Sequence, residues 1–307
     1  MIIDFHVHTF PAAIRDHRER YFDDEPEFKL LYEAPESKLV SASNIVEMMD
    51  EQEVDLSVVF GFPWRNPDTC RKNNDYVLEA VAKYPDRLRG LCCVDSLNPD
   101  ADQEVERCLD AGMGGVGELA FYGCGIDGEC QLSLDPIMTI CRERDVPVLL
   151  HTNEEVGHLY PGKTPNTMTQ IYETISRFPD NKIVLAHWGG GIFFYNLLKK
   201  AVRETLKNVW YDTAASPFLY DSRIYNYAKD LVGLDKVLLG TDYPLLKPAR
   251  YKKEMAEAGL SQTDKKMVCG QSAARLLRIE GYHKKMESIR SDVDKYLPSQ
   301  ECSSKRP

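Results

Sequence analysis

Eight short apolar runs alternate with amphipathic stretches through nearly the whole 307-residue chain, and this alternation narrows the fold more than any other feature. The runs fall at residues 2–8, 56–61, 88–94, 115–120, 146–151, 183–187, 209–213 and 237–241. Between them the spacing is helical. Met168, Ile171, Tyr172, Ile175 and Phe178 recur at three- and four-residue steps, with Pro165 near the start and Pro179 as the stop. Ser43 is the expected N-cap of a helix carrying Ile45, Met48 and Met49. A strand followed each time by a helix implies a parallel sheet, and eight such units close into a (β/α)8 barrel of the α/β class. An open doubly wound sheet is the alternative.

Gly112 to Gly117 match the dinucleotide pattern G-x-G-x-x-G, but they follow a helix and precede a strand, the reverse of the required order. They read as a turn and a tightly packed strand start. Two segments depart from the repeat. Residues 10–42 form a long loop insertion after the first strand, on the side where a barrel carries its active-site loops. Residues 281–307 form a charged tail, so the chain reads as one domain, 1–280, with a tail whose end is expected to be disordered.

Acidic residues outnumber basic ones by 48 to 38, a net charge of −10, which disfavours nucleic acid or an anionic membrane as the main partner. No run reaches the roughly 20 apolar residues that span a bilayer, and the N-terminus lacks the layout of a secretory signal. Nine cysteines with no Cys-x-x-Cys are expected to be reduced thiols in a cytoplasmic protein. A small molecule is the expected partner, and a homo-oligomer is compatible with the sequence.

Barrel chemistry sits at the C-terminal strand ends. Reading only those ends gives His6, His8, Glu118, His151, His187 and Asp242. His6 and His8 are spaced i and i+2 on one strand, so both imidazoles point the same way, roughly 7 Å apart at their Cα atoms. Two neutral nitrogens converging from a strand end can hold a divalent metal. Each residue also has a structural reading. Glu118 can be an ion-pair carboxylate, His151 a core histidine, His187 a turn residue and Asp242 a helix cap. Together they point to a metal site.

His6-Val-His8, His151 after Val148-Leu-Leu, His187-Trp-Gly-Gly and Gly240-Thr-Asp242-Tyr-Pro resemble the amidohydrolase superfamily, most closely its amidohydrolase-related branch of metal-dependent hydrolases, lactonases and non-oxidative decarboxylases. The resemblance runs from residue 1 to about residue 279. It implies metal ligation by His6, His8, His151 and Asp242, with His187 ligating a second ion or assisting catalysis. Glu118 resembles the strand-four glutamate of TatD-like deoxyribonuclease relatives, where a carboxylate joins the metal site. No lysine stands at the corresponding strand end, so a carbamylated-lysine bridge is not expected. One ion or two, zinc first and manganese as an alternative, are compatible with this set.

The expected activity is hydrolysis of an ester, lactone or amide of a small carboxylated substrate. Asp242 would move the proton and His187 would donate to the developing oxyanion or position the substrate. The alternative is a lyase that decarboxylates an aromatic or dienoic acid. A barrel that keeps its metal only as structure or sensor is a third reading. For substrate contacts, Trp64 and Arg65 follow strand two, where an arginine suits bidentate binding of a carboxylate; a surface arginine beside a stacked tryptophan fits equally. His158, Tyr160 and Lys163 follow strand five and either line the pocket or sit in a solvated loop.

Overall fold

The computed structural model describes residues 1–279, so the tail expected at 281–307 lies outside the described residues. Eight parallel strands appear in chain order: β1 (Ile3–His8), β2 (Leu56–Phe60), β3 (Leu88–Gly90), β4 (Val116–Leu119), β5 (Pro147–Leu150), β6 (Lys182–Leu185), β7 (Val209–Asp212) and β8 (Val237–Leu238). Ile3, Phe5, Leu56, Val58, Phe60, Leu149, Val184 and Leu238 come from five of these strands and form one buried cluster, the side-chain fill of a (β/α)8 barrel. Ala273, Ala274 and Leu276 of the helix Ser272–Leu276 join that cluster. A larger cluster packs the helices around the outside.

The ladder does not run evenly around the barrel. It forms two arcs, β1-β2-β3 and β4-β5-β6-β7-β8. Between the arcs it thins to the single bridges Val7–Tyr243 and Cys92–Val116. Sparse bonds stitch each seam, among them Phe5 N to Leu239 O (2.7 Å), Asp242 N to His6 O (2.9 Å) and Cys92 N to Gly115 O (3.0 Å). Thr241 adds its backbone N–H and its hydroxyl to the buried Asp4 carboxylate.

Strands three and eight are shorter than the apolar runs predict. Leu239 N turns to Val268 O and Gly240 N to the Thr213 hydroxyl, so the β8 backbone leaves its neighbour after two residues. The glycines at 112–117 do make a turn and a crowded strand start. A Cβ at Gly117 would stand 2.5 Å from Leu149 O, and one at Gly115 2.6 Å from Pro147 O.

The insertion at 10–42 is helical rather than a loop. It holds Ala12–Arg15, a 3-10 turn at Arg18–Tyr21, and Pro26–Tyr32. Phe28 of the last helix is fully buried against Trp64 (4.5 Å between ring centroids) and Tyr32 (4.7 Å), a burial that contributes about 1.5–3 kcal/mol. The helix after it, Ala42–Gln52, is capped by Ser41 and not by Ser43. Ser41 is extended (φ −87°, ψ 164°) and accepts from Asn44 N, whereas Ser43 already lies in the first turn. Thr167 caps Met168–Arg177 in the same way.

A buried polar chain braces the β6 and β7 ends. Trp188 Nε1 donates to the Ser216 hydroxyl (2.9 Å), and Ser216 in turn donates to Glu254 Oε1 (3.0 Å). Tyr225 OH donates to Glu254 Oε2 (3.2 Å). Burial, resisted by these two hydrogen bonds, pushes the Glu254 carboxyl up to about 7. Between the ordinary glutamate value of about 4.3 and that value, the folded state holds a proton that the unfolded chain has lost, so stability falls as pH rises through this window. Glu254→Gln should remove this share. Thermal melts of wild type and variant from pH about 4.5 to about 7.5 should show a flatter decline in the variant; parallel curves would remove Glu254 from the balance.

Candidate metal centre and active site

β1 delivers His6 and His8 to the mouth, as the i, i+2 spacing predicts. His6 Nδ1 donates to Asp212 Oδ2 (2.8 Å), and His8 Nδ1 donates to Gly61 O (3.0 Å). A carboxylate and a carbonyl accept but cannot donate, so each ring's Nδ1 carries the hydrogen. The two Nε2 atoms then face each other at 3.3 Å. In neutral rings these are two opposed lone pairs, an arrangement that a shared cation or a captured proton stabilises.

Two carboxylates complete the facing set. Glu118 Oε2 lies 3.5 Å from His6 Nε2 and 3.8 Å from His8 Nε2. Asp242 Oδ1 lies 3.4 Å from His8 Nε2 and 3.8 Å from His6 Nε2. The second Glu118 oxygen faces His151 Nδ1 at 3.1 Å and His187 Nε2 at 3.8 Å. Glu118 therefore bridges two donor groups, His6 with His8 and His151 with His187. Nitrogen and carboxylate oxygen without thiolate is a donor set that fits a divalent cation such as zinc or manganese.

Charge follows from these contacts. Burial disfavours a charged His6, but Glu118 and Asp212 outweigh it and hold the imidazole well above its ordinary range. Burial likewise opposes ionisation of Glu118 and Asp242, yet the surrounding histidines keep both carboxyls well below the usual carboxylate range. His187 differs. Burial and the neighbouring His151 lower its pKa, so the ring is neutral. Its Nδ1 donates to Ala214 O (2.9 Å), which leaves Nε2 with a lone pair toward the cluster. The expectation that neutral His187 donates to an oxyanion therefore fails on tautomer grounds: its only N–H is already engaged.

Two of these residues occupy left-handed backbone conformations, His187 at φ 54° and Asp242 at φ 57°. Non-glycine residues adopt that region at a cost and cluster at functional sites.

Above the cluster opens a cavity of about 460 Å³, with His8, Glu118, His151, His187 and Asp242 on its floor. Tyr32 from the insertion, Phe62 after β2, Tyr122 after β4 and Phe218 after β7 form aromatic walls. Burial and the floor carboxylates push the Tyr32 and Tyr122 phenols up, so both stay protonated. His158 and Tyr160 line the rim.

The remaining expected contacts lie elsewhere. Trp64 is wholly buried and donates to Asn73 Oδ1 (3.0 Å), packed behind Phe62 instead of facing the cavity. Arg65 turns outward to pair with Glu27 in a separate surface cleft. Glu25 carboxylate oxygens accept from the backbone N–H groups of Arg65 and Asn66, which fixes that direction. Lys163 is spent within its own loop, donating to Glu154 Oε1 (3.2 Å) and Val156 O (3.1 Å). Arg65→Ala should accordingly change kcat/KM by no more than a surface substitution does, about 0.5 kcal/mol. Steady-state kinetics on a carboxylate substrate would check this; a large rise in KM would bring Arg65 back as an anchor.

Asp212 is the residue that strand-end reading passed over. Wholly buried at the end of β7, it accepts from His6 Nδ1 on one oxygen, and on the other from His187 N (3.0 Å) and Ala214 N (2.9 Å). Its signal was present, a carboxylate ending an apolar run.

The family model described as amidohydrolase matches residues 3–279. This chain belongs to the amidohydrolase family. Among curated relatives of this amidohydrolase, the 2-amino-3-carboxymuconate-6-semialdehyde decarboxylase of Dictyostelium discoideum is 26% identical, over 76% of this chain and 76% of its own. The gamma-resorcylate decarboxylase of a Polaromonas species is 23% identical, over 76% of this chain and 86% of its own. A solved structure of 5-carboxyvanillate decarboxylase from Novosphingobium aromaticivorans, complexed with manganese and 4-hydroxy-3-methoxy-5-nitrobenzoic acid, matches with a TM-score of 0.72. It covers 91% of this chain and 96% of that one at 18% identity, a likeness that carries the barrel fold. Among the described residues of this amidohydrolase, no helix is long and apolar enough to cross a membrane.

Proposed function

We propose that this amidohydrolase is a metal-dependent, non-oxidative decarboxylase of a small planar carboxylic acid, aromatic or dienoic. The observation that carries the reading is the aromatic-walled cavity standing directly over the histidine and carboxylate floor. Flat rings stack or meet edge to face with aromatic walls, while polar substrate oxygens turn to the floor. The two curated relatives named above are both decarboxylases and support the same reading over hydrolysis.

His6, His8, Glu118 and Asp242 would hold the divalent ion, with His151 and His187 across Glu118 as further donors. When bound, the ion polarises the substrate oxygens and offsets their negative charge. Zinc and manganese both suit these donors. Asp212 fixes the ring of His6, so that Nε2 and not Nδ1 faces the site. Tyr32 and Tyr122, kept protonated, can donate to substrate oxygens and hold the ring plane. Loss of carbon dioxide leaves an electron pair on carbon that needs one proton. Asp242 rests ionised, so it would first take that proton, from a substrate hydroxyl or a water, and then return it to the carbon. Neutral His187 accepts at Nε2 and can orient the substrate hydroxyl.

The test is a panel of ortho-hydroxybenzoic and amino-dienoic acids offered to manganese- and zinc-loaded enzyme, reading carbon dioxide release alongside loss of substrate absorbance. Matched lactones and esters run in parallel. Carbon dioxide release from the acids is expected. Lactone or ester opening without it would return the protein to the hydrolases.

A further inference from the structure

Among the described residues outside this site, one cluster of reactive side chains stands apart: Cys124, Asp127 and Cys130, in the loop and helix start that follow β4. The two Sγ atoms approach to 3.1 Å. Cys124 is exposed, whereas Cys130 is buried in the first turn of the helix Gly128–Glu143. The carboxylate of Asp127 is committed as that helix's N-cap, accepting from Glu129 N (3.1 Å) and Cys130 N (3.0 Å) on one oxygen. A metal would need that carboxylate as a third ligand. Two thiols in contact, one reachable and one held behind it, fit a different chemistry.

We propose that Cys124 and Cys130 form a reversible disulfide, a redox-addressed modification site in the loop behind Tyr122, with a low-molecular-weight disulfide as the oxidant. The Cys124 thiolate attacks one sulfur of the reagent, forming a mixed disulfide and releasing one thiol. Cys130 gives up its proton to solvent, attacks Cys124 Sγ and expels the second thiol. The protein loses two protons and two electrons, and the reagent takes them up to become two thiols. Bringing the sulfurs from 3.1 Å to a bond of about 2.05 Å takes only a small movement. The helix N-terminus favours the attacking Cys130 thiolate. Burial, the Cys124 thiol and Asp127 push the Cys130 thiol up while both cysteines are reduced, and the mixed disulfide removes the Cys124 share.

Access does not run through the substrate cavity. Cys124 lines the neighbouring cleft, and Tyr122 is the wall between the two spaces. Tyr122 also stacks on Phe62 (6.1 Å, 16° between planes) and sits 5.6 Å from His151. A disulfide two residues beyond it would fasten the segment that sets this wall, so the oxidation state of the cell would reach the substrate pocket.

The full-length metal-loaded protein, in a Cys302→Ser background, is equilibrated across reduced and oxidised glutathione ratios, then alkylated and mapped by mass spectrometry. The peptide spanning residues 108–142 should lose two hydrogens and show no fragment ions between 124 and 130. Cys124→Ser should abolish that loss, and Cys130→Ser should instead retain glutathione on Cys124. Hydrogen exchange over 121–127 should slow several-fold in the oxidised form. Alkylation of both thiols under oxidised glutathione alone, the same loss in Cys124→Ser, or unchanged exchange would overturn the proposal. Protection of both thiols by equimolar zinc in metal-loaded protein would overturn it too, assigning the pair to a metal.

Discussion

Asp242→Asn lowers turnover by about 100- to 10,000-fold while the fold and most of the bound metal remain, if the proton passes through this carboxylate. The side chain stays isosteric, so an amide oxygen can still face His8 Nε2, 3.4 Å from Oδ1 in the native protein. What disappears is the charge and the capacity to carry a proton. Because Asp242 also stands among the metal donors, elemental analysis and kcat must come from the same sample. Turnover near the native value at full occupancy would show that another group moves the proton, with His187 the first to test. A loss of activity that tracks loss of metal would assign Asp242 to ligation alone.

The second large effect is expected at a residue that never touches the cavity. Asp212→Asn should weaken metal affinity by about 10- to 100-fold, the usual scale for a group that orients a ligating histidine. The reason is tautomeric. One Asp212 oxygen accepts from two backbone N–H groups, His187 N and Ala214 N, and an asparagine must keep its carbonyl oxygen there. Its NH2 group then points at His6 Nδ1, which has to become an acceptor. The ring hydrogen moves to Nε2, the atom facing His8, and the lone pair that would hold the ion is gone. Competition with a calibrated chelator gives the affinity, nitrogen-15 spectra of the histidine rings report the tautomer, and a thermal melt checks the fold. Native affinity with the Nδ1 hydrogen retained would refute this account.

Much of this architecture was readable from residue pattern alone, and the unreadable parts have physical reasons. Hydrophobic periodicity locates elements because burial dictates it, so all eight strands fall where the apolar runs place them. Convergence at the mouth follows from the barrel itself, which is why His6, His8, Glu118, His151, His187 and Asp242 meet on one cavity floor or just beneath it. Loops obey no such rule. Trp64 and Arg65 leave β2 at the right end of the barrel, yet Glu25 grips the backbone at Arg65 and Asn66 and turns the arginine away. Lys163 satisfies a local glutamate before it can reach the cavity. The aromatic walls come from four separate connections that follow β1, β2, β4 and β7, and nothing in a linear pattern says that Tyr32 and Phe218 will face one space.

The thin seams of the barrel have a consequence beyond catalysis. His6 and His8 stand on β1, Glu118 on β4 and Asp242 just beyond β8, so the donor set spans both seams between the arcs, each closed by only a few backbone hydrogen bonds. An ion held by all four would clasp both arcs at the rim where they meet. Metal binding would then add to the stability of the fold, and a cell short of metal would hold an enzyme that unfolds and is cut by proteases more readily. Abundance of the protein, and not only its activity, would follow the metal supply.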